Sequence, residues 1–212
     1  GHIFRSPAAN ATAFGRVYVN FATLPTSGTP EIIGFWNSGT VAMEAEIRID
    51  GTTKTLGLYD RNGVKRGGSS AALVANTWYR VELKLTADGG VGAATAAARV
   101  DGVDFATTTA AVSNTFDALY IGTANALGTY DMYVDDWAIN VNQGSTQNDY
   151  PGAGAIVHLK PNADGDTITW ANTYTNIDEV TPNDLGDVIS SSSEAEIEEF
   201  NVEETSTAGI GS

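Results

Sequence analysis

Between residues 43 and 50 the chain alternates without a break. In Met43-Glu44-Ala45-Glu46-Ile47-Arg48-Ile49-Asp50 each odd position is apolar and each even one is charged. Successive side chains of a β-strand point to opposite faces, so this reads as a strand with one buried and one wet face. The Asp50-Gly51 pair then offers a hairpin turn into a second strand over 53–59. Trp78-Tyr79-Arg80-Val81-Glu82-Leu83-Lys84-Leu85 repeats the pattern, with Tyr79, Val81, Leu83 and Leu85 on one side and Arg80, Glu82 and Lys84 on the other. A turn at 87–90 follows, and Ala96, Ala98 and Val100 alternate up to another turn dipeptide, Asp101-Gly102. Further strands are expected over 14–23, 31–36, 116–122, 130–141 and 155–159.

Strands therefore recur every 10 to 15 residues or so, separated by turns rich in Gly, Asn and Asp. No long window carries apolar residues at helical spacing. Residues 193–200 fit either a short helix capped from 190–193 or a strand edge. The expected fold is all-β: a two-sheet antiparallel jelly-roll sandwich with an acidic, partly extended C-terminal segment.

Composition limits what such a sandwich can do. Hydrophobic residues make up 42% of the 212, enough for a core, while only 17% are charged. The formal net charge of -15 repels phosphate backbones and anionic lipid, so neither nucleic acid nor membrane is expected as a partner. With no cysteine there is no disulfide framework, thiolate nucleophile or Cys-based zinc site. No run approaches the roughly 20 apolar residues of a membrane helix. The first residues lack the basic-then-apolar pattern of a signal peptide, and the chain does not begin with Met, which leaves room for a leader or upstream region.

The charge is unevenly spread. The last basic residue is Lys160, and 12 of the 26 acids follow it. Two parts are therefore expected: a sandwich over 1–160, and an acidic segment over 161–212 that is solvated, waits for a partner or begins a second β-rich unit.

Asn76-Thr77-Trp78-Tyr79-Arg80-Val81-Glu82-Leu83, followed by Ala98-Arg99-Val100-Asp101-Gly102, resembles the concanavalin A-like lectin/glucanase domains of laminin-G-like type. Tyr133-Val134-Asp135-Asp136-Trp137-Ala138-Ile139-Asn140 is similar to the strand that often closes that sandwich. Asn148-Asp149-Tyr150-Pro151-Gly152, the run from Val157 to Asp166, and the run from Ile177 to Asp184 resemble segments that follow such domains in tailed-phage structural proteins. The resemblance implies a first strand upstream of Gly1, a further β-rich unit after Ser212, and a virion location, with a secreted or cell-surface protein as the alternative.

Candidate chemistry is sparse. Glu44 and Glu46, about 7 Å apart along one strand face, are within reach of a glycosidase pair. The related glucanases carry a Glu-x-Asp-x-x-Glu strand that this chain lacks, so a solvated strand face is expected. Adjacent Asp135 and Asp136 should point to opposite faces, one inward or at a sheet end, either hydrogen-bonding backbone or ligating calcium. Asn162, Asp164 and Asp166 around Gly165 fit a tight turn or a calcium loop, which makes Asp164 and Asp166 the candidate metal ligands and calcium the one cofactor considered. His2 and His158 read as structural, and Gly67-Gly68-Ser69-Ser70 as a plain turn. Trp78 is expected in the core. Trp36 and Tyr59, flanked by polar turn residues, are expected near the surface, where they could stack on sugar rings. Asn10-Ala11-Thr12 is a glycosylation sequon without meaning in a phage or bacterium. Ile168, Trp170, Ile177 and Phe200 are the apolar anchors through which the acidic segment would pair with a partner's sheet edge.

The expected function is that of a non-enzymatic virion structural protein of a tailed phage, on the capsid surface or tail. Its partners would be other virion subunits: its own copies, or a capsid or tail protein. The alternative is a carbohydrate-binding module of an adhesin or tail fibre, with a glycan as ligand.

Overall fold

The computed structural model describes residues 2–3, 12–87, 94–109, 116–122, 129–142, 148–153, 161–170, 174–176, 191 and 197–202. The strand expected at 155–159, with His158, lies outside them, as does Ile177. The chain divides into two compact units, Gly1–Gly154 and Ala155–Gly211.

The first unit is a sandwich of two antiparallel sheets. One has the strand order β1 (His2–Ile3), β10 (Ala118–Ile121), β3 (Glu31–Asn37), β4 (Ala42–Ile49), β5 (Thr55–Asp60), β6 (Lys65–Ala72). The other runs β11 (Asp131–Val141), β2 (Thr12–Thr23), β7 (Trp78–Thr86), β8 (Thr95–Val100), β9 (Val103–Thr108). This is the β-sandwich jelly roll expected from the alternation. Its core is the set of inward positions: Val17, Val19 and Phe21 from β2, Ile33 and Phe35 from β3, Ile47 and Ile49 from β4, and Val81, Leu83 and Leu85 from β7. The register read from 79–85 is therefore correct.

Local chemistry sets the turns. Asp101 and Gly102 both have positive φ, 51° and 84°, between paired Val100 and Val103. That is a two-residue turn whose twist matches the strands it joins. After β4, the Asp50 carboxylate accepts the N–H groups of Thr52 (2.7 Å) and Thr53 (3.0 Å), and these bonds hold its pKa below the usual value. A β-carbon at Gly51 would lie 2.4 Å from the Ser27 carbonyl oxygen, so only glycine fits there.

Several expectations are corrected. Gly67 and Gly68 form no turn between strands; they are an irregularity inside β6, where Gly57 pairs with Ser69 and Leu58 with Arg66. A β-carbon at Gly68 would sit 2.8 Å from the Phe105 carbonyl oxygen, so the missing side chain lets β6 close on β9 at the sandwich edge. Trp78 is 48% exposed. Its parity with Arg80, Glu82 and Lys84 places it on the outer side, where a core position was expected. Asp135 and Asp136 need no inward carboxylate, because a bulge between Asp135 and Ala138 breaks the alternation and Asp136 takes φ 42°. The Asp136 carboxylate instead pairs with Arg16 at 2.8 Å.

In the second unit, β12 (Pro161–Ile168) pairs antiparallel with β13 (Glu198–Val202). The segment Asn162–Asp166 is thus a strand, where a turn or calcium loop was expected. The residues that fitted a helix or a strand edge at 193–200 end in β13. Gly165 lies against Glu199, where a β-carbon would meet the neighbouring strand at 2.6 Å.

Candidate functional site

The outer face of the six-stranded sheet carries the most chemistry. Pairing aligns Tyr120, Gly34, Glu46, Tyr59 and Lys65 in one transverse row, and Glu31, Arg48, Gly57 and Ser69 in the next. Glu44 and Glu46, expected on a solvated face, are 0% and 1% exposed. The reason is tertiary: β4 is an interior strand, and charged side chains from β4 and the loop after β5 close over it. The Arg48 guanidinium bonds Glu46 and lies 4.8 Å from the centre of the Tyr59 ring. The Thr40 hydroxyl donates to Glu44 Oε1 at 3.1 Å, and Arg61 stands 3.9 Å from the same oxygen.

Burial raises the pKa of Glu46, and Arg48 opposes that rise. Tyr59, expected near the surface, is buried, and burial raises its phenol too. Trp36 is half-buried with its ring 5.4 Å from that of Tyr120. Trp36 and Tyr59 thus lie on one face, but only Trp36 leaves a ring open to a sugar.

Every buried carboxylate among the described residues has an arginine. Glu44 has Arg61, Glu46 has Arg48, Asp60 has Arg66 at 2.6 Å, and Glu82 has Arg80 at 3.2 Å. Glu46 is 1% exposed, with its carboxylate bonded by Arg48. Asp166 is exposed on β12, and Asp164 accepts the Tyr174 N–H at 2.8 Å. Among the described residues no group of three or more acidic or histidine side chains gathers to hold a metal. Of the expected partner anchors, Ile168 lies in β12, Phe200 is half-buried in β13, and Trp170 is half-buried just after β12.

Sequence reasoning missed a second arrangement, on the outer face of the five-stranded sheet. The segment Asn148–Gly152 crosses it as a strap. The Tyr150 ring packs edge-on against Phe14, with centroids 5.1 Å apart, and its centre lies 3.6 Å from the Arg99 guanidinium carbon. The Gly152 N–H donates to Glu82 at 3.0 Å, Arg16 donates to the Gly152 carbonyl at 2.9 Å, and Asn140 donates to the Asp149 carbonyl at 3.0 Å. Burial holds the Tyr150 phenol far above its usual range. The available signal was Arg16, Glu82 and Arg99 on outward positions of neighbouring strands, more charge than one face needs. We expect Tyr150→Ala to cost about 0.5–3 kcal/mol in a denaturant titration, while Tyr150→Phe keeps most of the stability. Equal losses in the two variants would show that the hydroxyl, not the ring, holds the strap.

A profile of the SO2946-like C-terminal domain family matches residues 6–135, more than half of the chain. The chain belongs to that family. The match ends inside β11, so the end of that strand and the strap lie beyond it. No curated protein sequence matches the chain. Among solved structures the SO2946-like domain is similar to Trypanosoma rangeli sialidase, with 17% identity and a TM-score of 0.48, over 61% of this chain and 20% of that one. The alginate lyase Aly36B is 12% identical over 68% of this chain and 74% of its own, with a TM-score of 0.47. The alginate lyase AlgAT5, of Polysaccharide Lyase family 7, is 11% identical over 62% and 59%, with a TM-score of 0.45. The chain spans about a fifth of the sialidase's length.

Proposed function

We propose that this SO2946-like domain is a non-enzymatic structural component of a tailed-phage virion, on the capsid surface or tail, acting through protein–protein contacts. One contrast supports this reading. Each buried carboxylate among the described residues lies beside an arginine, while large apolar side chains stand exposed on an edge strand: Tyr133, Val134 and Trp137 of β11. Large apolar groups left exposed along a sheet edge mark contact surfaces. The segments resembling phage proteins add the location.

The test is mass spectrometry of purified tailed particles from the source of the gene, combined with turnover assays on alginate and β-glucan. The product is expected in the particles, with no turnover of either polysaccharide. Absence from the particles would overturn the virion reading. Turnover that disappears in Glu44→Gln or Glu46→Gln would overturn the non-enzymatic one.

A carbohydrate-binding module is the second reading, supported by the Trp36–Tyr120 ring pair on the polar face of the six-stranded sheet. Stacking on aromatic faces is how such modules hold sugars. Calorimetric binding of an oligosaccharide that Trp36→Ala abolishes would favour it; silence across neutral and acidic oligosaccharides would remove it.

A further inference from the structure

β11 is an edge strand. Its other side pairs with β2, and among the described residues no strand pairs with its free side. Inward positions on such a strand should still pack on the core. Met132, Ile139 and Val141 do so. Val134 does not: it sits opposite the fully buried Val19, yet is 50% exposed. Trp137, inside the bulge, is 48% exposed. Val134 on the inward side and Trp137 in the bulge are thus both exposed, and among the described residues nothing covers them or pairs with the free backbone edge beside them. An added strand would cover both and pair that edge.

The occupant can be read from charge. β11 carries Asp131, Asp135 and Asp136, all exposed, and among the described residues only Asp136 has an arginine. A second copy of β11 laid antiparallel and centred on Asp135 and Asp136 would bring these carboxylates against their own kind. A strand with basic residues on its outward side and apolar residues inward would meet Asp135 with a cation and cover Val134 and Trp137. We propose that β11 accepts, by strand addition, an extended segment of another protein in which Lys or Arg alternates with apolar residues. This deepens the contact-domain reading and names the contact.

The experiment uses the full chain and a synthetic peptide, Lys-Val-Lys-Val-Lys-Val-Lys-Val, capped at both ends. Two controls accompany it: the Glu-Val counterpart, and a Lys-Val peptide with proline at its two central valines, which keeps the charge but cannot pair. Tryptophan fluorescence and hydrogen exchange are the readouts. The Lys-Val peptide is expected to bind saturably, shift tryptophan emission to the blue and protect 131–141. Neither control should protect that strand, and Val134→Lys should weaken binding roughly tenfold or more. Equal protection by the proline peptide would show mere charge attraction. Equal binding of the Glu-Val peptide, protection elsewhere than β11, or a β11-mediated dimer of the chain would each overturn the proposal. Absence of the chain from phage particles would remove the virion reading and leave this result standing.

Discussion

Arg48→Met is expected to destabilise the domain by about 3–5 kcal/mol at neutral pH, because it strands a buried carboxylate without its counter-charge. Glu46 is 1% exposed, and one of its oxygens already receives no hydrogen bond. The pH dependence gives the effect a signature. With Arg48 present, the folded Glu46 carboxyl holds its proton more tightly than its ordinary value of 4.5 implies. A carboxyl raised in the folded state contributes stability that is present below the unfolded pKa and lost as the pH rises through the folded one. Without Arg48 the folded pKa moves higher, so the loss extends further up the scale. The stability gap between the variant and the parent should therefore narrow as pH falls from 7 towards 5. Adding Glu46→Gln removes the charge and should recover much of the loss at pH 7. Denaturant titrations at the two pH values decide it: a gap independent of pH, or no recovery in the double variant, would show that Glu46 is not the buried charge at issue.

Leu83→Ala is expected to cost on the order of 2–5 kcal/mol, while its neighbour Lys84→Ala stays within about 0.5–1 kcal/mol. Leu83 is fully buried and sits between Gly15 of β2 and Ala98 of β8. Those partners are too small to collapse into the space it leaves, which places the cost towards the upper end. Lys84 loses only the contact of its ammonium with the Phe14 ring, 5.4 Å away. Comparable shifts in the two denaturation midpoints would mean that β7 is registered one residue out.

Alternation alone made the sandwich legible. Positions 79–85 and 96–100 carried their burial in their parity, because a strand's period of two leaves only two choices of face and the core takes the apolar one. Asp101-Gly102 was legible for a similar local reason: a two-residue turn demands positive φ from both residues. The same rule misled at Glu44 and Glu46. Parity tells which side a residue faces, never what else lies on that side, and the arginines over these carboxylates come partly from the loop after β5. At Trp78 the expectation of a core tryptophan fails, because its parity with Arg80, Glu82 and Lys84 points outward.

Short-range pattern thus determined the elements, their faces and the antiparallel sandwich, since each follows from a few neighbouring residues. Which face is covered was decided by residues far apart in the chain. Tyr150 covers Phe14 and Arg99, Gly152 bonds Glu82 across 70 positions, and among the described residues no strand pairs with the free side of β11 beside Val134 and Trp137. Those contacts depend on strand order and on where the strap returns. Both are set by the packing of the whole core, and no local stretch of sequence encodes them.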